Sequence, residues 1–414
     1  MIRQPYKIWC LLRDQQAHVL PVEKEMRDRA VFIHDTDWNP EILVKERPDL
    51  VLCVNDFPFD IARCLDAARA ENIPSLVLQD GVLEWRCQYE NPLFAAGGGA
   101  AQHQPVLADK IACLGAQSAR QIALWGNAAK VEVTGMPRLD EFRKTSIPAS
   151  QLPGRRILVM TSKKPWFDEG QKEVSLRALK DTRDFLAKQP GLQVIWRLTK
   201  DVSSTLQVEN NLRELDSMEM AGILARVDAV IAMPGTAILE AMLSGRPVAA
   251  LDYHNVPRFV PTAWTISAPG HFDAVVREIL EPSAAKKMFQ EHCLHDCLRL
   301  DGKASSHAAD LIEKMIEVSR EQRKAGKKLC LPANLLQAEA FPGAGVGAVP
   351  VSVLYPAAEV YAVHDTDQLK ARLARAENEN RRLKEKLKSR GPGFWLEAAG
   401  RYLASLAGRG NPKA

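Results

Sequence analysis

Asp80 and Gly81 follow a short apolar run, SLVL at 75–78, which has the length of a buried strand. A carboxylate at the end of such a strand can act as a general base or as a nucleophile toward a hydroxyl group. The glycine lets the backbone turn sharply or lets a substrate approach closely. An Asp-Gly pair is also common in ordinary turns. Its position at a strand end nevertheless favours Asp80 and Gly81 as catalytic residues.

The most specific signal for a phosphate site is Pro234-Gly235-Thr236, between the apolar run AVIA at 229–232 and a helical stretch that begins at 237. Small residues at a helix N-terminus leave backbone N–H groups open to an anion, and the helix dipole adds to the attraction. Thr236 can cap the helix or donate to the phosphate. Glu240, one turn later, can accept from ribose hydroxyls. A simple helix start explains the threonine but not the Pro-Gly before it.

Cations and hydroxyls follow two further predicted strands. Ser162 and Lys163 come after RILVMT at 156–161, and Arg197 and Lys200 lie at and after the end of LQVIWR at 192–197. Each group alone is compatible with a solvated surface loop. Because cations recur at successive strand ends, we predict that all four residues bind the phosphates of a nucleotide.

Four other residues are candidates at or near strand ends. Arg86 follows the Asp-Gly pair, and Arg138 offers a planar donor for an anionic group. Gly135, just before Arg138, can shape a hinge, so these three are assigned to acceptor binding or to the hinge. His254 follows the strand PVAAL at 247–251 and could contact a sugar or a base, although a single histidine is more often structural.

Two patterns could indicate a metal. Asp35 and Asp37 have the spacing of a paired-acid metal site but follow only the second short strand, which favours a turn. The sequence HCLHDC at 292–297 could hold zinc, but no second ligand pair follows at zinc-site spacing, so buried core thiols are expected. We therefore predict no metal site.

Short apolar runs alternate with helical stretches from 1 to 145 and again from 155 to 327, with the Pro- and Ser-containing SIPASQLPG at 146–154 between them. This alternation is typical of parallel sheets that are covered on both faces. We predict an α/β fold of two doubly wound Rossmann-like domains that face a cleft. Residues 1–145 form the acceptor-side domain and residues 155–327 the nucleotide-sugar-binding domain. Ligands in such sheets bind beyond the carboxyl ends of the strands.

The amino-acid composition excludes several classes of protein. The 414 residues include 46% hydrophobic and 26% charged residues, which excludes overall disorder. A net charge of +4 is too small for a protein that mainly coats nucleic acid. No apolar run is long enough to span a bilayer, and the eight cysteines are scattered through apolar runs. These features predict a reduced, cytoplasmic protein.

The end of the chain follows a different pattern. We interpret residues 328–365 as a linker, residues 366–390 as a coiled coil and residues 391–414 as an amphipathic tail. The coiled coil predicts self-association or docking to a partner enzyme, and the tail predicts contact with a membrane surface. The heptad positions are Leu369, Leu373, Ala376, Asn380, Leu383 and Leu387.

Residues 49–323 resemble the GT-B class of nucleotide-sugar glycosyltransferases. The likeness rests on LVLQDG at 76–81, VTGMPRLDEF at 133–142 and MPGTAILEAMLSGRPVAALDY at 233–253. Within that class, the Asp-Gly pair is similar to that of bacterial capsule and lipopolysaccharide transferases that use CMP-activated acidic sugars, the sialyl- and Kdo-transferases. The resemblance implies that Asp80 is the catalytic carboxylate and that Thr236 contacts the CMP phosphate. UDP- and GDP-sugars stay open as donors.

These observations predict a metal-independent glycosyltransferase that needs no cofactor. It would move a sugar, such as Kdo or a related acidic sugar, from a nucleotide donor to a glycan or lipid-linked acceptor. The resemblance places this reaction in bacterial surface polysaccharide synthesis, at the inner face of the cytoplasmic membrane. Two alternatives remain: a nucleotide-sugar 2-epimerase of the same fold, and a non-catalytic coiled-coil scaffold.

Overall fold

The computed structural model describes residues 4–12, 15–92, 102–144, 154–209 and 220–336. The first half contains a six-stranded sheet in the order β2-β1-β3-β4-β5-β6, and every neighbouring pair of strands is parallel. Four of the six strands are buried along their whole length, which explains their largely apolar sequences, and the two charged residues among them, Lys110 and Glu132, pair with each other. The strands are β1 (Tyr6–Leu11), β2 (Ala30–Asp35), β3 (Leu50–Cys53), β4 (Ser75–Leu78), β5 (Lys110–Cys113) and β6 (Val131–Val133).

Helices connect these strands, and the first of them has no clear signal in the sequence. The first helix contains Pro21 and lacks a side-chain cap, so it has neither of the usual sequence signals of a helix. The described helices of this half are α1 (Gln16–Glu25), α2 (Glu41–Glu46), α3 (Phe59–Ala70), α4 (Trp85–Tyr89), α5 (Ala116–Ile122) and α6 (Asp140–Lys144).

The second half contains a five-stranded parallel sheet in the order β11-β10-β9-β7-β8. Both faces of this sheet are covered, because alternate residues of its inner strand β7 belong to two different hydrophobic clusters. Its last strand has only three residues and was not predicted. The strands are β7 (Arg155–Met160), β8 (Leu192–Arg197), β9 (Ala229–Ala232), β10 (Val248–Leu251) and β11 (Trp264–Ile266).

The described helices of this half begin with a long helix that is capped by its preceding residue. Asp168 Oδ1 accepts a hydrogen bond from Gln171 N at 2.8 Å and so satisfies one of the free N–H groups of the first turn. The helices are α7 (Glu169–Leu186), α8 (Lys200–Leu206), α9 (Met220–Leu224), α10 (Ala237–Leu243), α11 (Phe272–Leu280), α12 (Ala284–Cys297) and α13 (Ala304–Lys324). No helix within the described ranges is long and apolar enough to cross a membrane.

The two sheets share one strand order. Counted from the first strand of each half, both run 2-1-3-4-5, and the first sheet has one more strand at its edge. The strand order therefore reverses between β1 and β3 in the first sheet and between β7 and β9 in the second. Ligands of doubly wound sheets bind at such switch points. The predicted α/β class with two parallel, doubly wound sheets is confirmed.

The chain returns to the first half through α13. The Asp140 carboxylate caps this helix, accepting from Ala304 N at 3.1 Å and from Ser305 N at 2.8 Å. Farther along, Arg320 donates to Asp49 at 2.8 Å. Although α13 lies in the sequence range predicted for the second domain, it packs on the first sheet. Its contacts there are made by Ala308, Ala309, Leu311, Ile312, Met315 and Ile316.

The first residues of the predicted linker also contact the first half. The buried Lys110 ammonium donates to Ala333 O at 2.8 Å, and Glu132 accepts from Leu335 N at 2.8 Å and from Leu336 N at 3.2 Å. The rest of that linker, the predicted coiled coil at 366–390 and the amphipathic tail at 391–414 lie outside the described residues.

Candidate functional site

The two halves meet where β4 and β9 end. Val82 N donates to Thr236 Oγ1 at 3.2 Å, which joins the loop after β4 to the loop after β9. A Cβ atom on Gly81 would lie 2.5 Å from the same oxygen. The approach therefore requires glycine, and it sets the Asp80-Gly81 pair of one half directly against the Gly235-Thr236 loop of the other.

The Asp80 loop is held in shape by the side chain before it. Gln79 Nε2 donates to Gly81 O at 2.8 Å, and Gln79 Oε1 accepts from Leu114 N at 3.2 Å. A single buried amide thus fixes the turn and ties it to the end of the neighbouring strand β5. The sequence gives no signal for this role of Gln79.

The Asp80 carboxyl is in an environment with opposing effects. Burial raises its pKa above the usual value, because the charged form loses water. The charge of His103, a hydrogen bond from Asn55 and the charge of Arg138 act in the opposite direction. A raised pKa suits a carboxylate that must accept a proton from a hydroxyl group.

The loops after β7 and β9 lie side by side at the second switch point. A Cβ atom on Gly235 would be 3.5 Å from the Ser162 Cβ. Thr161 Oγ1 is buried there without a hydrogen-bond partner among the described residues. The Thr236 side chain does not cap α10, contrary to one of its two predicted roles, and its oxygen accepts from Val82 N instead. Its hydroxyl hydrogen can still be donated to a ligand.

The predicted cations line the same end of the second sheet. Thr161 N donates to Arg197 O at 3.3 Å, so the ends of β7 and β8 are adjacent. Lys163 and Lys200 are exposed, and Arg197 is partly exposed. Within the described part of the chain, the side chains of these three cations form no hydrogen bond or ion pair, which leaves them able to bind an anion.

Glu240 and Arg138, predicted for different tasks, pair with each other across the two halves. Arg138 Nη1 lies 2.6 Å from Glu240 Oε1, and both side chains are largely buried. Next to them is His18, on α1. Burial, and then the charges of Arg138 and Lys163, together lower the His18 pKa to about 4. One of these two cations comes from each half, and the Arg138 charge is paired with Glu240.

Arg86 and His254 were also predicted separately and are in contact. Arg86 is buried, forms an ion pair with Glu84, and donates from Nη1 to Pro165 O at 3.1 Å and to His254 Nε2 at 3.2 Å. His254 Nε2 also lies 3.1 Å from Ser175 Oγ. Because burial and then the Arg86 charge lower its pKa to about 4, His254 is neutral near pH 7. Arg86 thus connects the two halves.

Gly135 lies where the chain crosses back to the first half. Its φ of +93° is in the left-handed region. A Cβ atom there would be 2.8 Å from the Ala304 Cβ, at the start of α13. The backbone of Gly135 thus packs against the returning helix, at a position suited to a hinge.

The two alternative metal patterns have other roles. Asp35 accepts hydrogen bonds from the backbone of Asp37, Trp38 and Asn39, so it stabilises its own turn. Cys293 and Cys297 are buried in the core. Across the ranges that the structure describes, no cluster of three or more His, Cys, Asp or Glu residues has the geometry of a metal site.

Three functional candidates were missed in the sequence. Asn55 and Asp56 follow β3 as Asp80 follows β4, so the strand-end rule that identified Asp80 would also have identified them. The charge of His103, in a loop 23 residues later in the sequence, lowers the Asp80 pKa, and no recognisable motif marks this histidine. Its role depends on the tertiary structure alone.

Comparisons with known proteins give the fold. No protein-family model matches the chain, and no curated protein matches it. Among solved structures, S. aureus MnaA in complex with UDP is 14% identical, with a TM-score of 0.55, over 75% of this chain and 97% of MnaA. A Listeria monocytogenes protein assigned as a UDP-N-acetylglucosamine 2-epimerase is 12% identical, with a TM-score of 0.52, over 79% of this chain and 100% of that one.

The wall teichoic acid polymerase TagF, solved with CDPG, is 12% identical, with a TM-score of 0.50, over 77% of this chain and 90% of the TagF chain. At this level of identity the likeness shows the fold alone. It spans both sheets, so the two-domain α/β architecture of GT-B type is shared with proteins that include a polymerase and an assigned epimerase.

Proposed function

We propose that this protein is a glycosyltransferase that moves a sugar from a nucleotide donor to a glycan or lipid-linked acceptor. The observation that carries the proposal is the contact of Val82 N with Thr236 Oγ1 at 3.2 Å. This contact sets the Asp80 carboxyl of one half opposite the small-residue loop of the other. A base and an anion-binding loop that face each other across a cleft are the two parts that glycosyl transfer requires. MnaA with UDP and TagF with CDPG support a nucleotide ligand for this fold.

The residues suggest the following steps. Ser162, Lys163 and the loop at 234–236 would bind the donor phosphate, with Arg197 and Lys200 at the outer edge of the site. Asp80 would take the proton of the acceptor hydroxyl group while the oxygen of that hydroxyl bonds to the anomeric carbon of the sugar. The bond from that carbon to the phosphate oxygen breaks, and the nucleotide leaves with the electron pair. Fixed cations and N–H groups stabilise the leaving charge. If configuration is retained, Asp80 would instead attack the sugar directly.

We further propose a CMP-linked acidic sugar, such as Kdo, as the donor in surface polysaccharide synthesis. The support is the Asp80-Gly81 resemblance together with two cations, Arg138 and Lys163, whose charges act on His18. Cations at this place suit a donor that carries a sugar carboxylate in addition to its phosphate. UDP-, CDP- and GDP-linked donors would need only the phosphate contacts.

A 2-epimerase is the second candidate, because Asp56, in the loop after β3, pairs with His103, and β3 lies beside the strand that precedes Asp80. An epimerase needs several acid–base groups around one sugar. Asp56, however, is fully buried, and its Oδ2 accepts from Leu107 N at 2.7 Å. A carboxylate used in this way does not face a sugar, so the transferase is favoured.

Thermal unfolding with CMP, UDP, CDP and GDP tests the proposal, because a ligand that binds only the folded state stabilises it by about 2.7 kcal/mol at 100 times its Kd. We expect CMP to give the largest shift, and Lys163→Ala to reduce it. The matched control is Lys180→Ala, an exposed lysine on α7. A larger shift with UDP or GDP would indicate that this nucleotide, and not CMP, carries the donor sugar. No shift with any nucleotide would refute the site.

Turnover assays separate the remaining alternatives. With CMP-Kdo and a lipid-linked acceptor we expect transfer that continues in excess EDTA, because cations replace a metal. Interconversion of UDP-N-acetylglucosamine and its 2-epimer without an acceptor would identify the epimerase. If Asp80→Ala leaves cellular function unchanged, the scaffold explanation is correct.

We also propose roles for the two C-terminal segments. Residues 366–390 would mediate self-association or bind a partner transferase, and residues 391–414 would contact the inner face of the membrane near a lipid-linked acceptor. Nucleic acid is not expected to bind. Deletion of 391–414 should abolish sedimentation with anionic lipid vesicles, and deletion of 366–414 should lower the mass measured by light scattering if the coiled coil drives self-association.

A further inference from the structure

Five side-chain amides form one hydrogen-bonded row in the first half. Gln104 Nε2 donates to Gln88 Oε1 at 3.3 Å, and Gln88 Nε2 donates to Gln102 Oε1 at 3.5 Å. The row continues from Gln102 Nε2 to Asn55 Oδ1 at 3.0 Å, and from Asn55 Nδ2 to Gln15 Oε1 at 3.3 Å. Every bond runs in the same direction, from the N–H of one amide to the oxygen of the next. We call these five residues the amide row.

The amide row lies at the switch point of the first sheet. Gln15 is in the loop after β1, Asn55 is in the loop after β3, and the strand order reverses between these two strands. Ligands of doubly wound sheets bind beyond the carboxyl ends of the strands at such a point. The switch point of the second sheet carries the predicted phosphate loop. The direct bond between Gln15 and Asn55 therefore marks the corresponding ligand position of the first sheet.

The row also borders the candidate base. Strands β3 and β4 are parallel neighbours with Cys53 opposite Val77, and Asn55 and Asp80 each lie two residues beyond the end of their strand. Gln88 is on α4, the helix that follows the Asp80 loop. The loop that carries Asp80 thus leaves the sheet beside Asn55 and leads into the helix of Gln88. A ligand on the amide row is therefore next to this loop.

The amides are fixed in place but keep free hydrogen-bonding capacity. Gln88 is only 3% exposed and joins two partly exposed glutamines, which fixes their side chains before a ligand arrives. A carboxamide has two N–H donors and two acceptor lone pairs. Gln102 uses one of each within the row, Gln15 uses one lone pair, and among the described residues their side chains make no other hydrogen bond. Each therefore offers a ligand at least one donor and one acceptor.

This combination of groups selects the chemistry of the ligand. A sugar hydroxyl both donates and accepts, as the hydroxyl of serine does, so two neighbouring hydroxyls match the donor and the acceptor of one amide. A phosphate or carboxylate at pH 7 only accepts hydrogen bonds and is best bound by cations. All five members of the row are neutral, whereas Lys163, Arg197 and Lys200 lie at strand ends of the second sheet. The row therefore fits an uncharged part of a sugar.

We propose that the amide row binds the acceptor, and that the acceptor group it takes is an uncharged sugar ring with neighbouring hydroxyls. The row holds this ring beside the Asp80 loop, and one hydroxyl of the ring faces the Asp80 carboxyl. Gln15 and Gln102 are thus specificity-determining residues for the acceptor. Their role in transfer rests on the proposed function, whereas the binding of a sugar ring by the row does not.

Sugar binding is tested by NMR of the side-chain NH₂ groups, assigned by through-bond experiments. Protein labelled with nitrogen-15 is titrated with the methyl glycosides of galactose, glucose and mannose, and in parallel with glycerol phosphate, an anionic polyol. We expect the Gln15 and Gln102 signals to move with at least one glycoside more than with glycerol phosphate. The signal of Gln189, a partly exposed glutamine after α7, should stay in place. Equal or larger movement with glycerol phosphate, or no movement with any probe, overturns the inference.

Kinetic constants separate the acceptor from the donor. Gln102→Met and Gln15→Met nearly keep the size of the side chain and remove the amide. Each should raise the KM for the lipid-linked acceptor about 3–10-fold, as loss of one hydrogen bond between uncharged groups does. The KM for CMP-Kdo in acceptor-free hydrolysis should be unchanged, and the matched control Gln189→Met should change neither constant. A higher donor KM with an unchanged acceptor KM would show that the row binds the donor sugar, which overturns the inference.

Circular dichroism confirms that each variant is folded, and the NMR titration of the parent protein decides the question if neither variant folds. Glycoside binding to the row without transfer from any nucleotide sugar would refute the proposed function and leave the sugar site intact. Transfer with no response of the Gln15 and Gln102 signals would do the reverse.

Discussion

A Cβ atom on Gly81 would lie 2.5 Å from the hydroxyl oxygen of Thr236. Real Cβ atoms do not approach other atoms this closely, so the two halves of the molecule meet at a point that only glycine permits. Because the same oxygen accepts a hydrogen bond from Val82 N, the loop that carries Asp80 is held against the loop at 234–236. This contact, together with Arg86–His254 and Arg138–Glu240, holds the candidate base opposite the candidate phosphate site.

Gly81→Ala should therefore lower both stability and donor turnover. We expect a loss of about 1–3 kcal/mol in the free energy of unfolding, typical of an overpacked site, measured by urea denaturation. In the double variant with Thr236→Ala, which removes the clashing oxygen, the added cost of Gly81→Ala should largely disappear. Gly270→Ala is the control, because nothing lies within 4 Å of its Cβ position. Equal costs at Gly81 and Gly270 would contradict the prediction.

Asp80→Asn should abolish transfer and stabilise the fold. Loss of a general base is expected to reduce kcat by about 10²–10⁴. Because burial raises the Asp80 pKa in the folded state, the ionised carboxyl costs stability as the pH rises through that value. The variant should thus melt higher than the parent at pH 7 and equal to it near pH 3. A lower melting temperature at pH 7 would show that the ionised carboxyl stabilises the fold.

His254→Gln should flatten the dependence of stability on pH. The folded-state pKa of His254 is lowered from 6.5 to about 4, so its stabilising effect is complete above the unfolded pKa and is lost as the pH falls through this interval. Removing one such titration reduces the slope of the unfolding free energy by at most about 1.4 kcal/mol per pH unit. Urea denaturation of the parent and the variant at pH 4.5, 5.5 and 7 measures this slope.

His18 titrates in the same interval, since its pKa is also lowered to about 4. A second single variant, His18→Gln, therefore gives its own change in slope, and the two changes should add in the double variant. Slopes identical to that of the parent in both variants would contradict the burial of these histidines.

Lys110→Met should destabilise the protein strongly. Lys110 Nζ lies 2.8 Å from Glu132 Oε1 in a pair that is shielded from water, and loss of one partner leaves an uncompensated charge. We expect a cost of about 3–5 kcal/mol and faster hydrogen exchange at the Leu335 and Leu336 amides that Glu132 holds. The control is Arg155→Met, which breaks the exposed pair with Glu281 and should cost at most about 1 kcal/mol. Equal costs would contradict the prediction.

The sequence identified several strand ends well, because a buried parallel strand is mostly apolar and is followed by polar residues. Asp80, Ser162 and Gly235 were found by that rule. The rule failed for β11, whose three residues WTI at 264–266 are too short to form a pattern. The helix α1 was also missed, because Pro21 lies within it and its first turn has no side-chain cap.

What the sequence determined by itself was the set of local elements and the side chains that follow them, since both depend on neighbours within a few residues. The pairing of those side chains was decided by the tertiary structure. Arg86 with His254, Arg138 with Glu240 and Asp56 with His103 lie 168, 102 and 47 residues apart in the sequence, and no local preference links them. The first two pairs form where the two sheets of the same strand order meet, and the third forms within the first half. The return of α13 to the first sheet likewise depends on an apolar face that only the folded chain supplies.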